Sequence, residues 1–129
     1  MFPLQFCGKK DFRFLLWDNE SMSKASSDLT NAVIAHIYKA GGYAWRASSV
    51  GVFDTKQARH RAAAKKGVAD VLSIYHGILI AVEIKIGTDR LSDEQEGFMR
   101  NIEHHGGRAI VAKTEDQFKE AWAAAIAGI

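Results

Sequence analysis

The sequence has a single cysteine, Cys7. One cysteine cannot form an internal disulfide, and it cannot supply a thiolate zinc site. The chain also lacks a run of about eighteen apolar residues that could cross a membrane. Its first residues lack the basic segment and long apolar core of a secretory signal. From these absences we expect a cytoplasmic protein.

The sequence likewise has no Gly-x-Ser-x-Gly motif, no internal repeat and no low-complexity tract. The missing nucleophile motif argues against a metal-independent serine hydrolase. With 129 residues, of which 47% are hydrophobic and 25% charged, the chain can form one globular domain around one core.

Two apolar segments in the middle of the chain, residues 71–75 and 78–86, predict paired β-strands. His76 and Gly77 lie between them and predict a tight turn, because glycine adopts positive φ at little cost. This hairpin is the most apolar part of the sequence, so the few polar residues within it need a physical reason.

Those polar residues are Asp70, which opens the first strand, and Glu83 and Lys85 near the end of the second. Residues two apart on a strand share a face, so Glu83 and Lys85 are expected to lie together. Two carboxylates and a main-chain carbonyl, such as that of Ile84, form a hard oxygen site suited to Mg²⁺ or Mn²⁺. Such an ion activates water and offsets charge on a phosphate, and Lys85 would stabilise the transition state. The alternative is a solvated Glu–Lys pair near an ordinary strand start, and the apolar surroundings argue against it.

A basic segment precedes these residues, although the net charge is only +2. Residues 1–69 carry 11 Lys and Arg against 5 Asp and Glu, whereas residues 70–129 carry 6 against 10. A positive segment next to a metal site favours contact with a phosphate backbone over a solvated loop of routine charge. The candidate DNA-binding residues are Arg46, Lys56, Arg59, Arg61, Lys65 and Lys66.

The spacing of these residues resembles that of a known nuclease group. Ala69 and Asp70, followed after twelve residues by Glu83, Ile84 and Lys85, resemble the PD-(D/E)xK signature. Ala69 replaces the proline of that signature, a mild change because the position supplies no ligand. The longer pattern also includes residues 67–70, 82–85, 91–95 and 106–111, and it resembles the VRR-NUC (virus-type replication–repair nuclease) branch over roughly residues 28–122.

This resemblance implies an α/β fold with a restriction-endonuclease-like core, a mixed β-sheet flanked by helices. It implies a Mg²⁺- or Mn²⁺-dependent endonuclease that cuts DNA, structure-selective for Holliday junctions or other branched DNA in phage or bacterial replication and repair. Asp70 and Glu83 would be metal ligands, Lys85 catalytic and Gln95 a supporting site residue. The alternative is an inert nucleic-acid-binding module of the same fold, and the presence of all four residues argues against it.

Two site assignments have structural alternatives. In the resembled family the first helix carries an acidic residue that faces the site, more often Glu; here the candidate is Asp28, at the start of a predicted helix over residues 28–40. A carboxylate is also favourable in the first turn of any helix, so both interpretations remain open. Gln95 would face the metal site by resemblance, yet residues 92–95 also fit a capping box that opens a helix over 92–105. We favour the site role for Gln95.

The remaining segments complete an α/β order. Strands are predicted at residues 43–46 and 108–112, and a last helix to about residue 127 starts from a second capping box at 114–117. Residues 1–21 are interpreted as an extension or leader outside a domain of residues 22–129, with a strand over 12–17 and a turn over 18–20. Some helical character is predicted at 62–64. Because a duplex or junction has two strands to cut and one small domain has one site, we expect a homodimer.

Overall fold

The computed structural model describes the backbone of residues 12–47, 52–54, 59–61 and 65–129, and the side chains of residues 23–47 and 65–129. The helical character predicted at 62–64 therefore lies outside the described residues. The elements in chain order are α1 (Phe12–Lys39), β1 (Tyr43–Arg46), β2 (Val52–Asp54), β3 (Arg59–Arg61), β4 (Val71–Tyr75), β5 (Ile78–Ile84), α2 (Asp93–His104), β6 (Arg108–Ala112) and α3 (Glu115–Ile126).

A four-stranded mixed sheet in the order β1-β4-β5-β6 forms the centre of the structure. The β1–β4 and β4–β5 pairs are antiparallel, whereas β5 and β6 are parallel and connected through α2. Helices α1 and α3 pack on one face of the sheet around a core that includes Val33, Ile80, Phe118 and Trp122. Helix α2 packs on the other face through Met99. The predicted α/β fold, a mixed sheet flanked by helices, is confirmed.

The central hairpin forms where the sequence predicts it. His76 and Gly77 have φ angles of 47° and 82°, so both turn residues adopt the left-handed conformation that a two-residue hairpin loop requires. Val71 pairs with Val82 across the two strands, and the register is continuous to the turn. The strands therefore end together at the side opposite the turn, next to Asp70 and Glu83.

The first helix is longer than predicted. It begins at Phe12, so the strand predicted over residues 12–17 and the turn over 18–20 are wrong. A short apolar run does not distinguish a strand from a helix by periodicity, and the described strands offer this run no partner. The helix therefore does not start at residue 28 as predicted. The chain is already helical at Ser26, whose carbonyl accepts a hydrogen bond from Thr30 Oγ1 at 2.8 Å. The boundary between residues 1–21 and a domain over 22–129 stays a prediction.

Two further details differ from expectation. The basic segment contains a two-stranded antiparallel hairpin, β2–β3, in which Phe53 pairs with His60; the sequence patterns did not predict these strands. At the start of α3, Thr114 Oγ1 accepts from the Gln117 N–H at 3.1 Å, as a capping box requires. However, Gln117 Oε1 accepts from Lys113 N at 2.8 Å, one residue before the cap.

None of the described helices is both long enough and apolar enough to span a membrane.

Candidate active site

Alternation along β5 directs two charged side chains toward α2. Val82 and Ile84 belong to the core beneath α1 and α3, so Glu83 and Lys85 point to the opposite face of the sheet. Both are buried, with 2% and 8% of their surface exposed. Burial of two charged groups at one end of a strand is costly unless they have partners, and the neighbouring elements supply them.

Asp70 joins this pair from the start of β4. Its Oδ2 accepts a hydrogen bond from the Ile84 N–H at 2.8 Å. Its main-chain carbonyl accepts from Ala47 N at 2.9 Å, which extends the β1–β4 ladder by one residue. The side chain and backbone of Asp70 are therefore both fixed by the sheet, and its carboxylate lies beside that of Glu83.

The Ile84 carbonyl, predicted as a metal ligand, is directed to the same side. Lys85 N donates to the Ala112 carbonyl on β6 at 3.0 Å. The N–H and C=O of one strand residue face the same side, and the next residue along the strand faces the other side. The N–H and C=O of Ile84 therefore face β4. The Ile84 N–H already binds Asp70. Beyond the end of β4, the Ile84 carbonyl is thus directed toward the region of Asp70.

The two oxygens of Glu83 have different environments. Oε1 accepts from Gln95 Nε2 at 3.1 Å and lies 3.9 Å from Lys85 Nζ. Oε2 is buried and accepts no hydrogen bond from the described donors. Burial, followed by the charge of the Asp70 carboxylate, raises the pKa of Glu83 from 4.5 to about 8, and Lys85 opposes this rise. A buried oxygen that no donor binds is what a bound cation would satisfy.

Gln95 makes contacts that fit both interpretations of the sequence: it caps α2 and it binds Glu83. Its Oε1 accepts from Ser92 N at 2.9 Å and its N–H donates to Ser92 Oγ at 3.2 Å, which completes the capping box of α2. The Nε2 at the other end of the same amide donates to Glu83. The start of α2 is therefore joined directly to the carboxylates of the sheet.

Lys85 lies between two carboxylates. Its Nζ is 3.9 Å from Glu83 Oε1 and 3.9 Å from Asp89 Oδ2. Both distances exceed the hydrogen-bond range of about 3.2 Å, so neither carboxylate oxygen accepts a hydrogen bond from the ammonium group. Asp89 was not predicted as a site residue, although it lies four residues after Lys85 in a polar loop. The ammonium therefore lies near both carboxylates without a hydrogen bond to either.

A second contact missed by the sequence analysis joins the loop before Asp70 to α2. Gly67 has a φ of +79°, and a side chain there would collide with the backbone of Glu94 and Gln95. Only glycine permits both this backbone conformation and this close approach. The loop and the first turn of α2 are therefore packed directly together, and this packing sets Gln95 opposite Asp70 and Glu83.

The residues present fit a divalent cation. The described residues contain no group of three or more His, Cys, Asp or Glu side chains placed to hold a metal ion. Mg²⁺ retains several waters and is commonly bound through only one or two carboxylates together with substrate phosphates. Asp70, Glu83 and the Ile84 carbonyl meet that requirement, and the unpartnered Glu83 Oε2 supports it.

Asp28 does not join this group. It is exposed on α1, and its neighbour Leu29 packs into the core on the sheet face opposite to Glu83. The structure therefore does not bring Asp28 together with Asp70 as a third acidic ligand. The physical reason is that α1 and the carboxylates occupy opposite faces of the same sheet.

The basic candidates have different positions. Arg46 Nη2 donates to Asn31 Oδ1 at 2.7 Å and lies 3.4 Å from Ser27, so the guanidinium joins β1 to α1 while remaining exposed. Lys65 and Lys66 are exposed just before Gly67. Arg59 and Arg61 lie on β3, although only their backbone is described, and Lys56 lies outside the described residues.

Comparison with known proteins identifies the domain. A search of curated proteins finds no match. A family model described as the VRR-NUC domain matches residues 7–116, which is most of the chain. Nucleases of this kind generally depend on divalent metal ions, in agreement with the oxygen ligands at the end of the sheet. The chain therefore belongs to the VRR-NUC family, which implies a nuclease that acts on DNA.

Proposed function

We propose that the chain is a Mg²⁺- or Mn²⁺-dependent endodeoxyribonuclease that hydrolyses phosphodiester bonds, preferentially in Holliday junctions or other branched DNA. The observation that carries the proposal is the meeting of two carboxylates, Asp70 and Glu83, where one Glu83 oxygen is buried without a partner. Such a site favours a bound cation, because the buried carboxylate of Glu83 and the half-buried one of Asp70 otherwise repel one another.

Asp70, Glu83 and the Ile84 carbonyl would hold the ion, which when bound activates water and offsets charge on the phosphate. The residues of the chain prepare the site for this. The Ile84 N–H fixes one Asp70 oxygen, and Gln95 fixes one Glu83 oxygen, so the free oxygens keep a defined direction. Lys85 places a positive charge beside them that can bind water or stabilise negative charge on the phosphate.

The basic residues provide a second line of support. Lys65 and Lys66 are exposed at the start of the loop that leads to Asp70, so their ammonium groups can bind phosphates that flank the cut. We assign the same role to Arg46, Lys56, Arg59 and Arg61. Arg46 contacts DNA only through the donors that Asn31 and Ser27 leave free.

The test is a cleavage assay on labelled four-way junction, flap, single-stranded and linear duplex DNA, with Mg²⁺, Mn²⁺ or EDTA. Wild type is compared with Asp70→Asn, Glu83→Gln and Lys85→Met, which keep side-chain size while removing charge. We expect metal-dependent cutting that each substitution reduces at least about 100-fold, the scale of losing one preorganised charge. Full cleavage by Glu83→Gln would refute the proposal. Salt-sensitive binding without cleavage in any metal would instead indicate an inert DNA-binding module.

We also propose a homodimer in the cytoplasm of a bacterial or phage-infected cell. A two-fold pair would present two metal sites to the two strands of a junction, whereas one domain carries one such site. Sedimentation with and without junction DNA measures this. A monomer under both conditions would contradict the dimer and leave the single-site nuclease standing.

A further inference from the structure

An exposed aromatic surface lies on the sheet beside the candidate active site. It consists of Tyr43 and Trp45 on β1 and Ile74 on β4, which we call the aromatic platform. These side chains expose 60%, 37% and 42% of their surface, unusually much for large apolar residues on a central sheet. Tyr43 and Ile74 are directly opposite across the two strands. The platform is therefore continuous across the edge of the sheet.

The platform shares the face of the sheet that carries the catalytic residues. Ala44, between its two aromatic residues, is buried in the core beneath α1 and α3, so Tyr43 and Trp45 point to the α2 side. Of the described helices, α2 packs mainly against β5 and β6 of this face, and Tyr43, Trp45 and Ile74 on its β1–β4 part are exposed. Leu72, directly opposite Trp45, lies two residues beyond Asp70, or about 7 Å along the strand.

The aromatic rings are held in place before any ligand binds. The Tyr43 and Trp45 ring centroids are 5.6 Å apart with an interplanar angle of 44°. Tyr38 packs edge-on against Tyr43 at 6.0 Å, and its hydroxyl donates to the Ala44 carbonyl at 2.8 Å. A pre-ordered aromatic surface loses little side-chain entropy on binding, which favours stacking with another flat ring.

The charges near the platform favour DNA as its partner. Lys65 and Lys66 are both exposed, and Lys65 lines a cavity together with Leu79, the residue that pairs with Ile74 of the platform. Their positive charge attracts phosphate. Aromatic residues beside a basic surface are the combination that binds single-stranded nucleic acid through stacked bases.

We propose that the aromatic platform stacks unpaired bases of the DNA strand that enters the active site. The inference rests on the proposed nuclease function and adds its substrate class: DNA with unpaired nucleotides next to the cut. Paired bases in a duplex present only their edges, so they cannot stack on Trp45 and Tyr43. Selectivity for flaps and for other branched DNA that carries unpaired nucleotides would then come from this surface, whereas the carboxylates supply the chemistry.

The test measures binding without cleavage. Wild type and variants are titrated in EDTA into a labelled single-stranded oligonucleotide and into a blunt duplex of equal length, with anisotropy as the readout. We expect Trp45→Leu and Tyr43→Leu each to weaken single-strand binding by about 5- to 150-fold, the range for one lost base–aromatic stack, and duplex binding by less than about 3-fold. Trp45→Phe, which keeps a ring, should retain most of the affinity.

Ile129→Ala is the matched control, since it removes similarly exposed apolar surface outside the platform. We expect its single-strand affinity to stay within about 2-fold of wild type. Equal loss of single-strand and duplex binding in Trp45→Leu, or no loss of either, would overturn the proposal. So would a wild-type dimer that both Trp45→Leu and Ile74→Ala dissociate without DNA, because the platform would then be an interface between copies.

The two proposals fail separately. Loss of cleavage in Glu83→Gln tests the nuclease, whereas selective loss of single-strand binding in Trp45→Leu, measured in EDTA, tests the platform. Selective loss of single-strand binding in Trp45→Leu would support the platform even if wild type cut no DNA. Conversely, cleavage that depends on Glu83 but not on unpaired bases would support the nuclease and refute the platform.

Discussion

Gln95 Nε2 lies 3.1 Å from Glu83 Oε1, so the amide that closes the capping box of α2 also binds the buried carboxylate of β5. The other end of this amide accepts from Ser92 N. One side chain therefore connects the start of a helix to the orientation of a Glu83 oxygen. Under the proposed function, Gln95 would be a positioning residue that acts through Glu83.

Gln95→Ala should separate these two roles when it is compared with Ser92→Ala. Both substitutions damage the helix cap, so each should lower the free energy of unfolding by about 1 kcal/mol in chemical denaturation. Only Gln95→Ala removes the bond to Glu83, and it should reduce cleavage or metal affinity by about 10- to 100-fold, as losses of residues supporting metal ligands do. Equal effects of both variants on cleavage would show that Gln95 acts only as a cap.

The raised pKa of Glu83 predicts how the metal-free protein responds to pH. The folded-state pKa of about 8 exceeds the ordinary value of 4.5, so the folded state retains this proton over a range in which the unfolded chain has lost it. The contribution of Glu83 to stability is thus fully present below pH 4.5 and is lost as pH rises through about 8.

Chemical denaturation in EDTA from pH 5 to pH 9 measures this contribution. Glu83→Gln is the control, because it is uncharged at every pH and leaves all other titrating groups in place. The difference in free energy of unfolding between wild type and Glu83→Gln should shift steadily against the wild type as pH rises. A difference that does not change with pH would mean that Glu83 is ionised throughout.

Metal binding should release the proton of Glu83. At pH 7 this carboxyl is mostly protonated without a metal, given its pKa of about 8, whereas a ligating carboxylate must be ionised. Calorimetric titration with Mg²⁺ or Mn²⁺ in buffers of different ionisation enthalpy should therefore show release of about one proton, and affinity should rise with pH toward 8. Asp116→Asn, an exposed acid on α3, should release the same number of protons. Binding without proton release would contradict the assignment of Glu83 as a ligand.

Sequence patterns were sufficient for the parts of the fold that local chemistry decides. The hairpin follows from two apolar runs around His76 and Gly77, and α2 follows from its cap at Ser92. The full extent of α1 does not, because the apolar run after Phe12 suits a strand as well as a helix. The hairpin β2–β3 also escaped prediction, since its strands are only three residues long.

For the site, the spacing of Asp70, Glu83 and Lys85 was sufficient to predict a shared location. The two roles of Gln95 appeared as alternatives because a sequence pattern does not show that the two ends of one amide have different partners. Asp28 illustrates the opposite limit. The sequence predicted that Asp28 lies on a helix. It did not predict on which face of the sheet that helix packs, because this depends on tertiary structure.

The contact of Gly67 with the start of α2 predicts a strong effect of a single methyl group. Gly67→Ala would force a side chain into the backbone of Glu94 and Gln95 at a positive φ. We expect a loss of about 1–3 kcal/mol in the free energy of unfolding, the usual cost of such backbone strain, together with weaker metal binding. Gly77→Ala is the matched control: its φ is also positive, but a side chain there meets no atom within 4 Å. It should cost less stability and leave metal binding intact.

Asp28 provides a negative test of the active-site boundary. Because it is exposed on α1 and lies across the sheet from Glu83, Asp28→Asn should leave metal affinity and cleavage within about 2-fold of wild type, as surface substitutions away from a site usually do. Asp70→Asn, the same chemical change at a carboxylate bonded to Ile84 N, should remove cleavage and weaken metal binding at least about 10-fold. A large loss in Asp28→Asn would mean that α1 moves its acidic residue to the site when DNA or metal binds. Calorimetry with metal alone and with a DNA junction present would identify which of the two causes that movement.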